Sequence, residues 1–328
     1  MNTAVIVLMF LVGLVFIIRG GDLFVDAASW FAEAFGVPKF LVGATIVSVA
    51  TTLPELLTSV FATVGGSVDI AAGNAIGSVT ANIGLIMAVT VVFLPAVVDK
   101  KSYAAKSFLM VLSCIVLLVG SLSGRLGIVA TVMLLAIFAY YTYGSIVDAK
   151  KAVSYADDER EVITRNLVIR NILLFAVGTA GIVIGARFLV DYGQALARII
   201  GVSDGVIGIT VIAVGTSLPE LVTAVTAIRK KETALSVGNI IGANIIDFTV
   251  ILPVCSLISG GKLLVPKISY ALDLPVTLAV IVFAVVPTAI AGRYRKWQGW
   301  VMLAIYAMYI FVRCTMPEID SISDIFMN

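Results

Sequence analysis

"VATTLPELLTS", residues 49–59, sets a proline beside a glutamate in the middle of an apolar run. Neither suits a membrane-buried helix, because Pro54 brings no N–H and Glu55 brings a charge. The pair recurs: "VGTSLPELVTA", residues 214–224, holds Pro219 and Glu220 in the same relation. A costly dipeptide written twice points to an internal repeat, which constrains a fold more than any single motif.

A shift of 165 aligns residues 20–82 with 185–247 without a gap, and about a third of the positions are identical. Thr51 maps to Thr216, "GNAIGS" at 73–78 to "GNIIGA" at 238–243, and Asn82 to Asp247. Shifts of 167 and 168 then carry "SYA" at 102–104 onto 269–271, and "AIFAYY" at 136–141 onto "AIYAMY" at 304–309.

Of 328 residues, 60% are hydrophobic and 13% charged, with a mean hydropathy of +1.11. Soluble domains average about 45–50% apolar and about 25% charged, so the composition excludes a soluble globular protein. Apolar runs long enough for about 30 Å of hydrocarbon recur near 3–31, 38–64, 69–96, 104–123, 127–147, 166–195, 203–229, 234–258, 270–291 and 297–314. The expected fold is an all-α polytopic membrane protein, with ten transmembrane helices arranged as two five-helix repeats. An odd number of spans per repeat inverts the second copy, an architecture that places substrate near the bilayer midplane in interrupted helices.

The first repeat covers 1–147, with its motif at 43–82. A solvated cytoplasmic linker is expected at 148–165, and the second repeat covers 166–328, with its motif at 208–247. The first apolar run lacks a basic leading segment and a small-residue cleavage site, so it reads as a retained helix. With the N-terminus outside, fifteen Lys and Arg fall on inside connections and five on outside ones, so both termini are expected to be extracellular at the cell membrane. Trp297 and Trp300 read as interfacial anchors. Cys114, Cys255 and Cys314 match no metal or disulfide pattern, and the chain has no histidine.

Thr45, Ser48, Thr52, Glu55 and Ser59 fall at steps of three and four, a polar stripe on one helix face. Pro54 and Pro219 are expected to free carbonyls of the preceding turn, near Ala50 and Thr51 and near Gly215 and Thr216. Freed backbone inside a membrane has to be protein-buried or line a cavity. Carboxylates, carbonyls and hydroxyls together make an all-oxygen set, the preference of a hard cation such as Ca²⁺. Asn74, Ser78 and Asn82 share one face of the next span, matched by Asn239, Ala243 and Asp247. No Lys or Arg lies deep in these spans, so the duplicated glutamates point to a bound cation. For the asparagines, interhelical hydrogen bonding is the rival reading. Asp26 and Asp191, near span ends, read as solvated interface residues.

The two motifs, each followed by "GN(A/I)IG(S/A)", resemble the alpha-repeats of the calcium:cation antiporter superfamily, most closely its prokaryotic sodium/calcium exchanger branch. The resemblance covers essentially the whole chain. It implies a transporter and not an enzyme, exchanging Ca²⁺ for Na⁺ by alternating access, with no cofactor. By resemblance, Glu55 and Glu220 are calcium ligands, with main-chain oxygens of Thr51 and Thr216. Sodium sites would use Ser48 (main chain), Thr51, Thr52 and Ser78, and on the other side Ala213 (main chain), Thr216 and Ser217. Asn82 and Asp247 match the central polar positions. Ala243 stands where many relatives have serine, which removes one hydroxyl ligand. Protons compete for the same carboxylates, so Ca²⁺/H⁺ exchange stays an alternative, as does K⁺-dependent exchange. A cation channel also tolerates acidic pore residues, whereas an intramembrane hydrolase would need a nucleophile motif that the sequence lacks. The expected partners are the transported ions and the lipid bilayer, with neither nucleic acid nor a protein partner.

Overall fold

The computed structural model describes residues 2–66, 68–155, 164–199, 215, 217–261 and 263–315. Its helices are α1 (Thr3–Phe35), α2 (Lys39–Val64), α3 (Ile70–Phe93), α4 (Lys100–Gly120), α5 (Ile128–Tyr155), α6 (Arg165–Ile199), α7 (Leu218–Arg229), α8 (Thr233–Ile258), α9 (Ser269–Ala291) and α10 (Lys296–Thr315). Among the described residues, eight of these, all but α7 and α10, are long and apolar enough to cross a membrane. The run expected at 203–229 is described only in part, from Gly215 onward. The hydrophilic stretch after residue 147 is not all linker, because α5 continues through Asp148 to Tyr155.

The chain divides into two compact units, and each takes segments from both repeats. The first comprises residues 1–54 and 143–243, the second 55–142 and 244–328. The boundaries fall inside α2, between Pro54 and Glu55, and inside α8, between Ala243 and Asn244.

In the first unit, α1 and α6 lie side by side. A Cβ on Gly20 would stand 2.7 Å from the backbone nitrogen of Ile182, so only glycine admits this approach. Phe24, Val25, Ala28 and Ala32 of α1 join Val42, Val47, Ala50, Ile182 and Leu235 in a buried cluster, with Phe24 stacked on Phe175 at 4.6 Å. Charges gather at the end of α1. Lys230 pairs with Asp26 at 2.6 Å, and Lys39 bridges Glu33 and Glu232 at 2.8 and 2.7 Å. Asp191 pairs with Arg187 on its own helix at 3.8 Å. Asp26 and Asp191 are exposed, in keeping with a solvated interface role.

The N-terminal half of α2 packs on that of α8. A Cβ on Gly238 would collide with the carbonyl of Phe40, and one on Gly242 would stand 2.5 Å from Ser48 Oγ. The small-residue pattern thus brings two helices into backbone contact, as in other membrane proteins. In the first repeat, Gly73 and Gly77 meet no described atom within 4 Å.

In the second unit, two short β-contacts tie loops together. Val97, before α4, pairs with Arg293, between α9 and α10; Arg125, after α4, pairs with Leu264, between α8 and α9. Beside the first contact, Tyr294 is buried and accepts or donates at 2.7 Å with Tyr103 Oη. Burial and the neighbouring Tyr103 push the Tyr294 phenol well above its usual range, so it stays neutral. Asp273 of α9 is held by Tyr309 and Arg313 of α10, each at 3.1 Å. Cys114 and Cys255 are buried free thiols. Trp297 and Trp300 are exposed, as interfacial anchors require.

Pro54 does not break its helix. The α-helix runs unbroken from Ser48 to Val64 with Pro54 inside it, and the wider π-helical turn lies earlier, at Gly43–Val47. The missing N–H of Pro54 still leaves the Ala50 carbonyl without its helical donor, so the chemistry expected of the proline survives without an interruption. Pro219 stands in the first turn of α7, where an N–H is orphaned in any case.

The collision at Gly238 gives a test. Gly238→Ala is expected to lower stability in detergent by about 1–3 kcal/mol, as overpacking does. Gly144→Ala, where an added Cβ meets nothing within 4 Å, is expected to leave it unchanged or raise it by up to about 1 kcal/mol. Thermal unfolding of the two purified variants measures both.

Candidate cation-binding residues

Ala213 and Thr216 lie outside the described residues. The other ligands expected from the sequence divide between the two units, Ser48, Thr51, Thr52, Ser217 and Glu220 in the first and Glu55, Ser78, Asn82 and Asp247 in the second, and all nine are buried, whereas Thr45 and Asn74 are half-buried.

In the first unit, α2 carries Ser48, Thr51 and Thr52. Two hydroxyls donate back along their own helix, Ser48 Oγ to Thr45 O at 3.0 Å and Thr52 Oγ1 to Ser48 O at 2.6 Å, while the single hydrogen of Thr51 Oγ1 is shared between Ser48 O at 3.4 Å and a nearer acceptor on α8. This back-bonding is a habit of Ser and Thr in apolar helices. It also has a chemical effect. A hydroxyl whose hydrogen is committed to a carbonyl presents only lone pairs elsewhere, which is what a cation requires of a neutral ligand. Thr51 Oγ1 also lies 3.1 Å from Asn239 Oδ1 of α8. Ser217 sits just before α7, and its Oγ finds no hydrogen-bond partner among the described residues. Glu220 occupies the first turn of α7, where the helix dipole favours a negative charge.

In the second unit, Glu55 heads the remaining half of α2. Asn74 of α3 reaches it: Asn74 Nδ2 donates to Ser59 Oγ at 3.0 Å and to the Glu55 carbonyl at 3.4 Å. Asn74, the first residue of the amide face of α3, therefore lies against the polar stripe of α2. Ser78 follows one turn after Asn74, and its buried Oγ has no hydrogen-bond partner among the described residues. Asn82 and Asp247, images of one another in the repeat, each open a π-helical stretch, Asn82–Met87 and Asp247–Ile251. Such widened turns are frequent at functional sites.

The rival reading of the asparagines is realised in part. Asn74 and Asn82 each donate across helices, and Asn239 accepts across one. The partner of Asn82 is Asn244 of α8, which sequence reasoning passed over: it stands five residues after Asn239, off the four-residue rhythm, and its image in the first repeat is Val79. A polar residue one place beside a motif face was the available signal. Among the described residues no three acidic side chains gather closely enough to hold a metal by themselves.

The profile of the family described as sodium/calcium exchanger protein matches residues 5–147 and 170–315. An uncharacterised membrane protein of Methanocaldococcus jannaschii is 32% identical over 305 residues, covering 92% of this chain and 95% of its own length. The sodium/calcium exchanger MaX1 of Methanosarcina acetivorans is 28% identical over 342 residues, covering 93% and 97%. Among solved structures, the sodium-calcium exchanger NCX_Mj, soaked with Na⁺ and Sr²⁺, superposes with a TM-score of 0.80 at 31% identity, covering 94% of this chain and 99% of that one. Whole-length matches at this level are decisive: the chain belongs to the sodium/calcium exchanger family.

Proposed function

We propose that this chain is a secondary antiporter that exchanges Ca²⁺ for Na⁺ across the cell membrane by alternating access. Glu55 and Glu220 serve as Ca²⁺ ligands, helped by main-chain oxygens of Thr51 and Thr216. Na⁺ is held by Ser48 (main chain), Thr51, Thr52 and Ser78, and by Ala213 (main chain), Thr216 and Ser217, with Asn82 and Asp247 completing the polar lining. The observation that carries this reading is the duplicated buried glutamate. Each copy is buried, and hydroxyls within one turn of it in sequence have their hydrogen committed, as Thr52 does, or no hydrogen-bond partner among the described residues, as Ser217 does, a setting suited to a hard cation. A divalent and a monovalent cation compete for such oxygens, which is the basis of exchange.

Ten spans follow if the apolar runs at 203–229 and 297–314 join the eight. Two features of the second unit support inversion of the repeat. The β-contact Val97·Arg293 becomes Leu264·Arg125 when each residue is carried to its repeat image by the shifts of 167 and 168. The two contacts lie at opposite ends of α4, as an inverted pair should. With both termini outside, the basic loops lie inside. We further propose that α1 and α6, packed on each other, move together as the gate.

Uptake of ⁴⁵Ca²⁺ into proteoliposomes tests the exchange. An outward Na⁺ gradient is expected to drive uptake, and H⁺ or K⁺ gradients alone are not; proton-driven uptake indifferent to Na⁺ would contradict the assignment. Current carried by one permeant ion without a counter-ion would indicate a channel. Glu55→Gln and Glu220→Gln are each expected to abolish uptake nearly completely, since each removes a charge that water does not replace. Ala243→Ser, which restores a hydroxyl, is expected to lower the Na⁺ concentration needed for half-maximal exchange severalfold while leaving that for Ca²⁺ within about twofold, an effect the size of one added hydrogen-bond-strength contact.

A further inference from the structure

Three side chains on three helices of the second unit form a chain with a direction. Asn82 Nδ2 of α3 donates to Asn244 Oδ1 of α8 at 3.0 Å. Asn244 Nδ2 in turn lies 3.8 Å from Met110 Sδ of α4, within the longer reach of a sulfur acceptor. Asn82 and Asn244 are almost wholly buried. A thioether has lone pairs but no hydrogen to give. Met110 therefore takes the NH₂ of Asn244 and not its carbonyl, which turns Asn244 Oδ1 toward Asn82. Asn82 has to answer with its own NH₂. Its Oδ1 is left buried, with no hydrogen-bond partner among the described residues.

The direction matters because the two ends of an amide are chemically opposite. A carbonyl oxygen attracts a cation, and an NH₂ repels one. Asparagine flips at little cost in water, but here a flip of Asn82 alone would set carbonyl against carbonyl, and a flip of both would turn the Asn244 carbonyl toward sulfur. We propose that Asn244, oriented by Met110, is a positioning residue that makes Asn82 present its carbonyl oxygen, and not its amide nitrogen, to the transported cations. This rests on the reading above that Asn82 lines the cation path, and it names two residues, absent from the expected ligand set, that set the polarity of that lining.

A double-mutant cycle separates the two claims. Asn82→Leu, Asn244→Leu and the double variant are reconstituted, and half-saturating Na⁺ and Ca²⁺ concentrations are measured beside maximal rate. Asn244→Leu is expected to raise the half-saturating concentrations about tenfold, the worth of one oriented contact to a charge, while maximal rate falls far less. The double variant is expected to match Asn82→Leu alone, because a residue that acts only through Asn82 has nothing left to position. Additive losses, or unchanged affinities in Asn244→Leu beside weakened ones in Asn82→Leu, would overturn the positioning role. Unchanged affinities in Asn82→Leu would overturn the cation-path reading and this one with it. Should Asn244→Leu fail to fold, Met110→Leu preserves volume and packing. It is expected to raise the half-saturating concentrations about twofold to threefold in the wild-type background and not at all beside Asn82→Leu; an equal effect in both backgrounds would overturn the proposal.

Discussion

Hydrocarbon offers no hydrogen bonds, and from that one constraint most of this structure follows. Every polar group inside the spans has to find its partner within the protein or justify its cost by holding something else. Thr45, Thr52, Thr80 and Thr90 meet the first condition in the simplest way, by donating to the carbonyl four residues back. Asp273 meets it with Tyr309 and Arg313. The oxygens of Ser78, Asn82 and Ser217 are buried acceptors with no hydrogen-bond partner among the described residues, and in the function proposed above they meet the second. Satisfied donors beside open acceptors distinguish a cation-binding surface from an ordinary polar core.

Backbone contact between helices is the second economy. Without a hydrophobic drive between spans, association depends on close packing, and glycine permits it. Gly20 lets α1 touch the backbone of α6, while Gly238 and Gly242 do the same for α2 and α8. The latter contact places Asn239 within reach of Thr51. Packing and chemistry are therefore set by the same four-residue rhythm in "GNIIGA".

That rhythm explains what was legible in the sequence. The repeat, the polar stripe of α2 and the contact of Asn74 with Ser59 and Glu55 follow from spacing alone, because a helix converts steps of three and four into a face. The π-helical stretches do not follow, since one extra residue in a turn is set by tertiary packing and leaves no mark in composition. The continuity of α2 through Pro54 agrees with the single run at 38–64: one missing N–H is tolerable in a helix braced by neighbours. Asn244 escaped because its role lies in a three-residue relay across α3, α8 and α4, and only coordinates bring those helices together. The hydrophilic run after residue 147 reads as linker, yet α5 carries its helix into it as far as Tyr155, because charged side chains are good helix formers once the backbone has a span to extend.

The interleaving of the two compact units bears on how the protein is made. A ribosome delivers the chain from its N-terminus, and the first 142 residues complete neither unit. The glycine face of α1 waits for α6, and the first half of α2 waits for α8, more than 180 residues downstream. During synthesis the buried hydroxyls and Glu55 of the first repeat stand in the membrane before their companions exist. A chain truncated after its first repeat therefore keeps the part of the buried cluster that α1 and α2 share but completes neither unit, and its remaining faces wait in the membrane for the second copy.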